Sequence, residues 1–301
     1  MAKVGIVGAG KIGANTAFSL LHLVEPDEIA MLDIPPAENL VLGEAADLNT
    51  ASAGLGRKTR VTGSTDPASL RGCDLVIVAA GFPRKPGMTR LDLLEKNIGI
   101  CKDVTQKIVT NAPEAHIFYI ANPVDVLTYA AWRFSGKPRE QVFGMGSFHD
   151  TTRLWDTLRD THHVPQPIEA YILGEHGETM FPARSLARVG GAKVEWGGIS
   201  ETVRGKAAKI IEQKGATYYA PAVATALQAK SVLLNEKRVF PTSCVLDGEY
   251  GLKGVAVGVP AVLGKGGVEK VVELPLDPAD VASLRRSADT LRERIAEAKL
   301  P

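Results

Sequence analysis

The chain has 301 residues, room for two domains at roughly 150 residues each. Lys and Arg number 35 against 34 Asp and Glu, and 45 % of residues are hydrophobic, which excludes a disordered chain and leaves no basic excess for a nucleic acid. No apolar run is long enough to span a bilayer, and Met1-Ala2-Lys3 leads into a run broken by Gly5, Gly8, Gly10 and Gly13 rather than into a secretory signal.

The first half alternates strand-like and helix-like segments. Strand-like runs lie at 3–7, 28–32, 59–62, 75–79, 117–121 and 141–143, with helical patterns at 12–23, 38–50, 90–110 and 124–134 between them. That rhythm, with strands apolar throughout rather than alternating, predicts an α/β unit with a parallel sheet covered on both faces. After about Gly144 the rhythm changes. A helix is expected at 151–162, strands of a second, antiparallel arrangement at 169–173, 183–187, 244–246 and 255–260, and helices at 201–213, 221–235 and 278–298. Two domains are expected, 1–144 and 145–301, the second of α+β type, sharing a tight interface because no Pro-, Gly- or Ser-rich linker separates them. Cys73, Cys101 and Cys244 are far apart, with neither a disulfide framework nor metal-ligand spacing, so thiols in a reducing, cytoplasmic compartment and no metal are expected.

The first chemical signal is Gly8-Ala9-Gly10-Lys11-Ile12-Gly13. Alone the pattern is weak. Here it follows a strand, opens a helix and precedes Asp33 by twenty positions, which is the context of a dinucleotide-binding, doubly wound Rossmann fold. Gly8 permits the tight turn, Gly10 lets main chain approach a pyrophosphate, and Gly13 lets helix and strand pack closely. The helix N-terminus offers free N–H groups to phosphates. Asp33 can accept from ribose hydroxyls and would repel a 2′-phosphate, so NAD is expected over NADP. Gly81 and Asn122-Pro123 follow two further strands, where ligands lie in open parallel sheets.

Three other motifs stand far apart. The segment 80–90 carries Arg84, Lys85 and Arg90 among two prolines and two glycines, suited to closing over an anion or, more plainly, to lying in solvent. In His149-Asp150-Thr151-Thr152-Arg153, near a helix start, Asp150 alone reads as an N-cap and Arg153 as a surface residue. In Gly174-Glu175-His176-Gly177-Glu178 a histidine stands between glycines after an apolar strand, with no second histidine at zinc spacing.

Together, and in this order, these motifs resemble the NAD-dependent lactate/malate dehydrogenase family over essentially the whole chain, the 246–251 segment included. The Arg84 to Arg90 loop and Tyr218-Tyr219-Ala220-Pro221 are similar in particular to the lactate-dehydrogenase-like malate dehydrogenases of prokaryotes. The resemblance implies that His176 is the acid/base, that Asp150 fixes its tautomer, and that Arg153 grips the substrate carboxylate beside the reacting carbon. It implies that Arg90 polarises the ketone oxygen, that Asn122 orients the substrate, and that the loop closes over the site. Cofactor contacts are implied for Gly8, Ala9, Gly10, Lys11, Ile12, Gly13, Asp33, Gly81, Asn97, Ile120, Ala121 and Asn122.

Arg84 decides the substrate, since the family carries Gln there for pyruvate and lactate and Arg for oxaloacetate and malate. A second carboxylate under a closed loop needs a cation. The expectation is therefore a tricarboxylic acid cycle enzyme oxidising (S)-malate to oxaloacetate. The alternatives are a dehydrogenase for lactate or another 2-hydroxy acid, and a non-catalytic NAD-binding redox-sensing module, which would not need the histidine, aspartate and three arginines together. Two residues depart from the malate pattern. Thr217 stands where lactate dehydrogenases carry a threonine near the substrate methyl. His149 stands where an aliphatic residue is usual, either perturbing the His176–Asp150 titration or packing blandly. A homo-oligomer, tetramer or dimer, is implied, with helix 38–50 and the C-terminal helix as interface elements, and neither membrane nor nucleic acid as partner.

Overall fold

Aliphatic and β-branched runs form six short strands: β1 (Lys3–Val7), β2 (Glu28–Leu32), β3 (Arg60–Ser64), β4 (Leu75–Val78), β5 (His116–Tyr119) and β6 (Val142–Gly144). They are parallel, in the order β3-β2-β1-β4-β5-β6, the doubly wound order of a dinucleotide-binding sheet. The crossovers carry α1 (Lys11–Leu23), α2 (Glu38–Gly54), α3 (Arg90–Asn111) and α4 (Val124–Ser135). Every side chain of β4 is buried, as expected of a central strand covered on both faces. The computed structural model describes residues 2–82, 90–163 and 167–300, with the main chain alone at Arg90.

The second half opens with α5 (Phe148–His162), followed by short strands β7 (Ile168–Glu169), β8 (Ile172–Leu173), β9 (Phe181–Pro182), β10 (Arg188–Val189) and β11 (Ala192–Lys193). Helices α6 (Ile199–Lys214) and α7 (Tyr219–Leu233) precede the long strands β12 (Arg238–Asp247) and β13 (Lys253–Gly264), then β14 (Gly267–Val271) and α8 (Pro278–Glu297). Pro278 at the first helical position and Asp277, whose carboxylate accepts from the Asp280 N–H at 2.8 Å, start α8.

Two expectations need correction. The run 169–173 is not one strand: β7 pairs with β10 and β8 with β9, because the carbonyl of Ala170 between them is taken by the Trp155 indole N–H at 2.8 Å. The run 183–187 is not a strand either. Pro182 has no N–H to extend a ladder, and a single 3-10 turn spans Arg184–Leu186.

A third expectation is met only by half. The later long strands are antiparallel, but they do not form a sheet of their own. β12 pairs with β6 through Ser243 opposite Gly144 and Cys244 opposite Phe143, and β13 and β14 follow, giving one nine-stranded sheet across the expected boundary at 144. Phe240 to Leu246 are buried in succession, so β12 gains more as an interior strand than as an edge. Aromatic packing fills the join: Phe118 stacks on Phe143 at 4.8 Å, and Phe148 meets Phe240 edge-on at 4.7 Å.

Candidate active site

The carboxyl ends of β1, β2 and β4 open on one crevice of about 590 Å³, lined by Gly8, Gly10, Asp33, Ala80, Gly81 and Ile100 among others. Gly8 has φ of +101°, and a side chain there would strike the main chain of Ala80. A Cβ on Gly13 would run into the Gly8 carbonyl oxygen, so only glycine lets α1 pack this close. A Cβ on Gly10 would meet nothing within 4 Å: this is the open side of the turn, facing the space a pyrophosphate needs. No side chain caps α1, whose first turn begins at Lys11 and Ile12. Asp33 is fixed by two main-chain donors, Ala9 N–H to Oδ2 at 2.7 Å and Ile34 N–H to Oδ1 at 2.8 Å. These residues fit a dinucleotide.

Beside the crevice, Asn97 on α3 is buried. Its Oδ1 accepts from the Phe82 N–H at 2.6 Å, and its Nδ2 donates to the Asn122 carbonyl at 2.8 Å. Its side chain is thus committed to main chain, tying the segment after β4 to the exposed Asn122, which leads into a cis peptide at Pro123. Ile120 and Ala121 are buried, Ala121 lying against Gly81.

A second cavity of about 380 Å³ is lined by Leu94, Asn122, Pro123, His176, Gly177 and Arg294 among others. His176, on its wall, reaches the first turn of α5. The Asp150 carboxylate divides its oxygens: Oδ2 lies 2.6 Å from His176 Nδ1, and Oδ1 accepts from Arg153 at 2.8 Å. Asp150 is 1 % exposed and Arg153 9 %, so solvent hardly screens the cluster. Burial opposes the charged form of His176, but the charge and hydrogen bond of Asp150 outweigh it, with Asp125 adding to them, and the imidazole pKa is raised. Burial opposes the charged form of Asp150 too, yet His176 and then Arg153 hold its pKa below the ordinary carboxyl value. Arg153 Nε is buried without a hydrogen-bond partner among the described residues.

Sequence reasoning brought together residues that the structure also brings together: His176, Asp150 and Arg153 in one cluster, with Asn122 lining the same cavity as His176. His149 packs inside, its ring centre 6.3 Å from that of His176. Burial and then the Arg153 charge press its pKa down to about 3, so it stands neutral beside the pair. Thr217 is half-buried in the connector between α6 and α7, next to Tyr218, whose ring lies 5.6 Å from Lys11 Nζ at the glycine turn. Among the described residues it makes no hydrogen bond to the His176 cluster. Arg84 lies outside the described residues, as does the side chain of Arg90.

Sequence reasoning missed two buried carboxylates. Asp125, in the first turn of α4, accepts from the His176 main-chain N–H at 2.7 Å and from Ser243 Oγ at 2.6 Å. Glu175, beside His176, is 1 % exposed, ion-paired with Arg294 of α8 and hydrogen-bonded by Thr179 Oγ1 at 2.5 Å. Neither had a local signal beyond being an acid close in sequence to a motif.

Residues 2–144 match the lactate/malate dehydrogenase NAD binding domain, and residues 150–300 match the lactate/malate dehydrogenase alpha/beta C-terminal domain. The chain is 48 % identical over 295 residues to a malate dehydrogenase of Archaeoglobus fulgidus, covering 98 % of this chain and 99 % of that one. It is 40 % identical over 304 residues to an L-lactate dehydrogenase of Lactobacillus acidophilus, covering 97 % and 93 %. The solved malate dehydrogenase of Archaeoglobus fulgidus in complex with NADH superposes with a TM-score of 0.93 at 47 % identity, covering 98 % of this chain and 99 % of that one. With both halves matched in order and the fold shared end to end, the chain belongs to the lactate/malate dehydrogenase family.

Proposed function

We propose that the chain is an NAD-dependent malate dehydrogenase that interconverts (S)-malate and oxaloacetate. The observation that carries this reading is the division of Asp150 between His176 and Arg153, which puts a proton carrier and a carboxylate clamp on one buried anchor. Bound dinucleotide supplies the hydride acceptor for malate oxidation and the hydride donor for the reverse. Gly8, Ala9, Gly10, Lys11, Ile12 and Gly13 hold its phosphates, Asp33 its ribose, and Gly81, Ile120, Ala121 and Asn122 the rest. Asn97 acts on it through the main chain of Phe82 and Asn122. The Asp33 charge disfavours a 2′-phosphate.

Neutral His176 takes the hydroxyl proton at Nε2 and returns it in the reverse direction. Asp150 keeps the other proton on Nδ1 and stabilises the imidazolium. Arg153 grips the carboxylate beside the reacting carbon as a two-pronged pair. Arg90 polarises the ketone oxygen, Asn122 orients the substrate, Thr217 borders it, and Arg84 neutralises the second carboxylate. The division into 1–144 and 145–301 belongs to the same reading: one part for the dinucleotide, the other for His176. No helix among the described residues is long and apolar enough to cross a membrane. We further infer a cytoplasmic homo-oligomer, tetramer or dimer, a reading supported by three buried free thiols and by the exposed Leu40 and Leu42 on α2.

Loss of NADH absorbance with oxaloacetate or pyruvate, repeated with NADPH, tests the reading. Oxaloacetate with NADH is expected to be the fast pair. Arg84→Gln should move the ratio of kcat/KM values toward pyruvate by about a hundredfold, because an unpaired buried charge is costly in either direction. An unchanged ratio would remove Arg84 from its role. A wild-type preference for pyruvate would favour the lactate reading, and no turnover of either keto acid a binding module.

A further inference from the structure

Asp125 is a buried carboxylate that the reaction derived above leaves unused. An acid in the first turn of a helix ordinarily serves the helix dipole from the surface. This one points inward and is 2 % exposed. It stands three residues after Asn122 on the same segment, and its two oxygens reach two other segments: Oδ2 to the His176 main-chain N–H at 2.7 Å, Oδ1 to Ser243 Oγ of β12 at 2.6 Å. A neutral amide could make both hydrogen bonds without the cost of a buried charge. The charge sits instead beside the one group of the site whose own charge changes in turnover, His176. With Asp150 at Nδ1 and Asp125 at the main chain, the imidazolium is flanked by two carboxylates.

We propose that Asp125 is a positioning residue of the reaction, whose carboxylate locks the His176 main chain to the Asn122 segment and to β12 and steadies the imidazolium formed on His176. It rests on the dehydrogenase reading above. The ionisable groups around it are His176 and Glu175 on the turn, the latter neutralised by Arg294 of α8; Asp150, Arg153 and His149 on α5; and the Cys244 thiol on β12, which burial keeps protonated. Burial pushes the Asp125 carboxyl up to about 6, against the pull of Ser243 and His176. In mildly acid solution it therefore becomes neutral and withdraws its charge from beside the imidazolium.

Oxaloacetate reduction needs the imidazolium, so acidification acting through His176 alone only increases the reactive form. A loss of kcat/KM for reduction below a pH of about 6 therefore reports a different group, and the proposal assigns it to Asp125. Asp125→Asn should abolish this acid limb and lower kcat for reduction about tenfold at neutral pH, the effect of about one pKa unit on the imidazolium. Ser243→Ala removes one bond to the charged form and should move the limb to higher pH. Nuclear magnetic resonance titration of the His176 ring in the NADH complex gives a readout apart from turnover: Asp125→Asn should lower its pKa. Thermal stability of Asp125→Asn at neutral pH should hold or rise, because a carboxyl whose pKa folding has raised is a cost to the fold above that pH. A limb that persists in Asp125→Asn, an unmoved His176 titration, or a limb that Ser243→Ala leaves in place would overturn the proposal. A wild type inactive on both keto acids would instead sink the dehydrogenase reading, and the imidazole titration would still decide about Asp125.

Discussion

At the scale of single residues, the site depends on how one carboxylate is shared. Asp150 gives one oxygen to the His176 ring, proposed above to gain and lose a proton, and the other to the Arg153 guanidinium. The buried ionic groups compensate one another, and removing a partner would leave a charge stranded. His176→Asn keeps a similar shape and should bind NADH as the wild type does, with kcat lower by about a thousandfold for want of a proton carrier. Fluorescence titration with NADH and steady-state turnover separate the two effects. Wild-type-like turnover would remove His176 from proton transfer. The pH dependence has a definite sign. Since the His176 pKa is raised, kcat/KM for malate oxidation, which needs neutral imidazole, should climb as pH rises through that raised value. Reduction should fall over the same interval. The glycine turn with Asp33 and the cluster of Asp150, Arg153 and His176 were legible in the sequence because each stands in a short local motif. Asp125 was not: its partners lie 51 and 118 residues away, and an acid opening a helix looks ordinary until its neighbours are known.

At the scale of elements, α8 is more than a solvated terminal helix. Arg294 turns inward to pair with Glu175, and Ser287 donates to the Thr179 carbonyl at 2.8 Å. The helix thereby braces the turn that carries His176. Arg294→Met should leave Glu175 buried without its cation and destabilise the fold by about 2–3 kcal/mol, less than a fully buried pair would lose because Arg294 is 28 % exposed. Thermal unfolding measures it; an unchanged Tm would show the pair to be idle. Periodicity placed the parallel strands and long helices well. It failed at 169–173 and 183–187, where a tryptophan indole and a proline, not the pattern of apolar residues, decide which main-chain groups are free to pair.

At the scale of the whole molecule, what the sequence pattern concealed is the join. Nothing in the three residues of β6 announces that a strand almost a hundred positions later will pair with it. An ion pair reinforces that join. Arg139, just before β6, grips Glu249 in the turn after β12 through two bonds of 2.7 and 3.0 Å, and donates to the Val245 carbonyl at 3.1 Å. This pairing holds the Glu249 carboxyl down to about 2. A depressed folded value means stability that is complete above the ordinary carboxyl value of 4.5 and is lost as pH falls toward 2. Arg139→Ala should therefore cost about 1–2 kcal/mol near neutrality, discounted for partial exposure. Urea unfolding should show the gap from wild type closing as pH drops from 4.5 toward 2; a gap constant with pH would assign the loss to packing alone.

The continuous sheet also bears on how the catalyst moves. A ladder hydrogen-bonded from β3 to β14, bridged at Gly258 to Gly174 just before His176, ties the crevice and the His176 turn to one frame among the described residues. Choice among keto acids therefore falls to individual side chains at the mouth of the site, and the specificity of such a molecule can drift by single substitutions while its frame stands still.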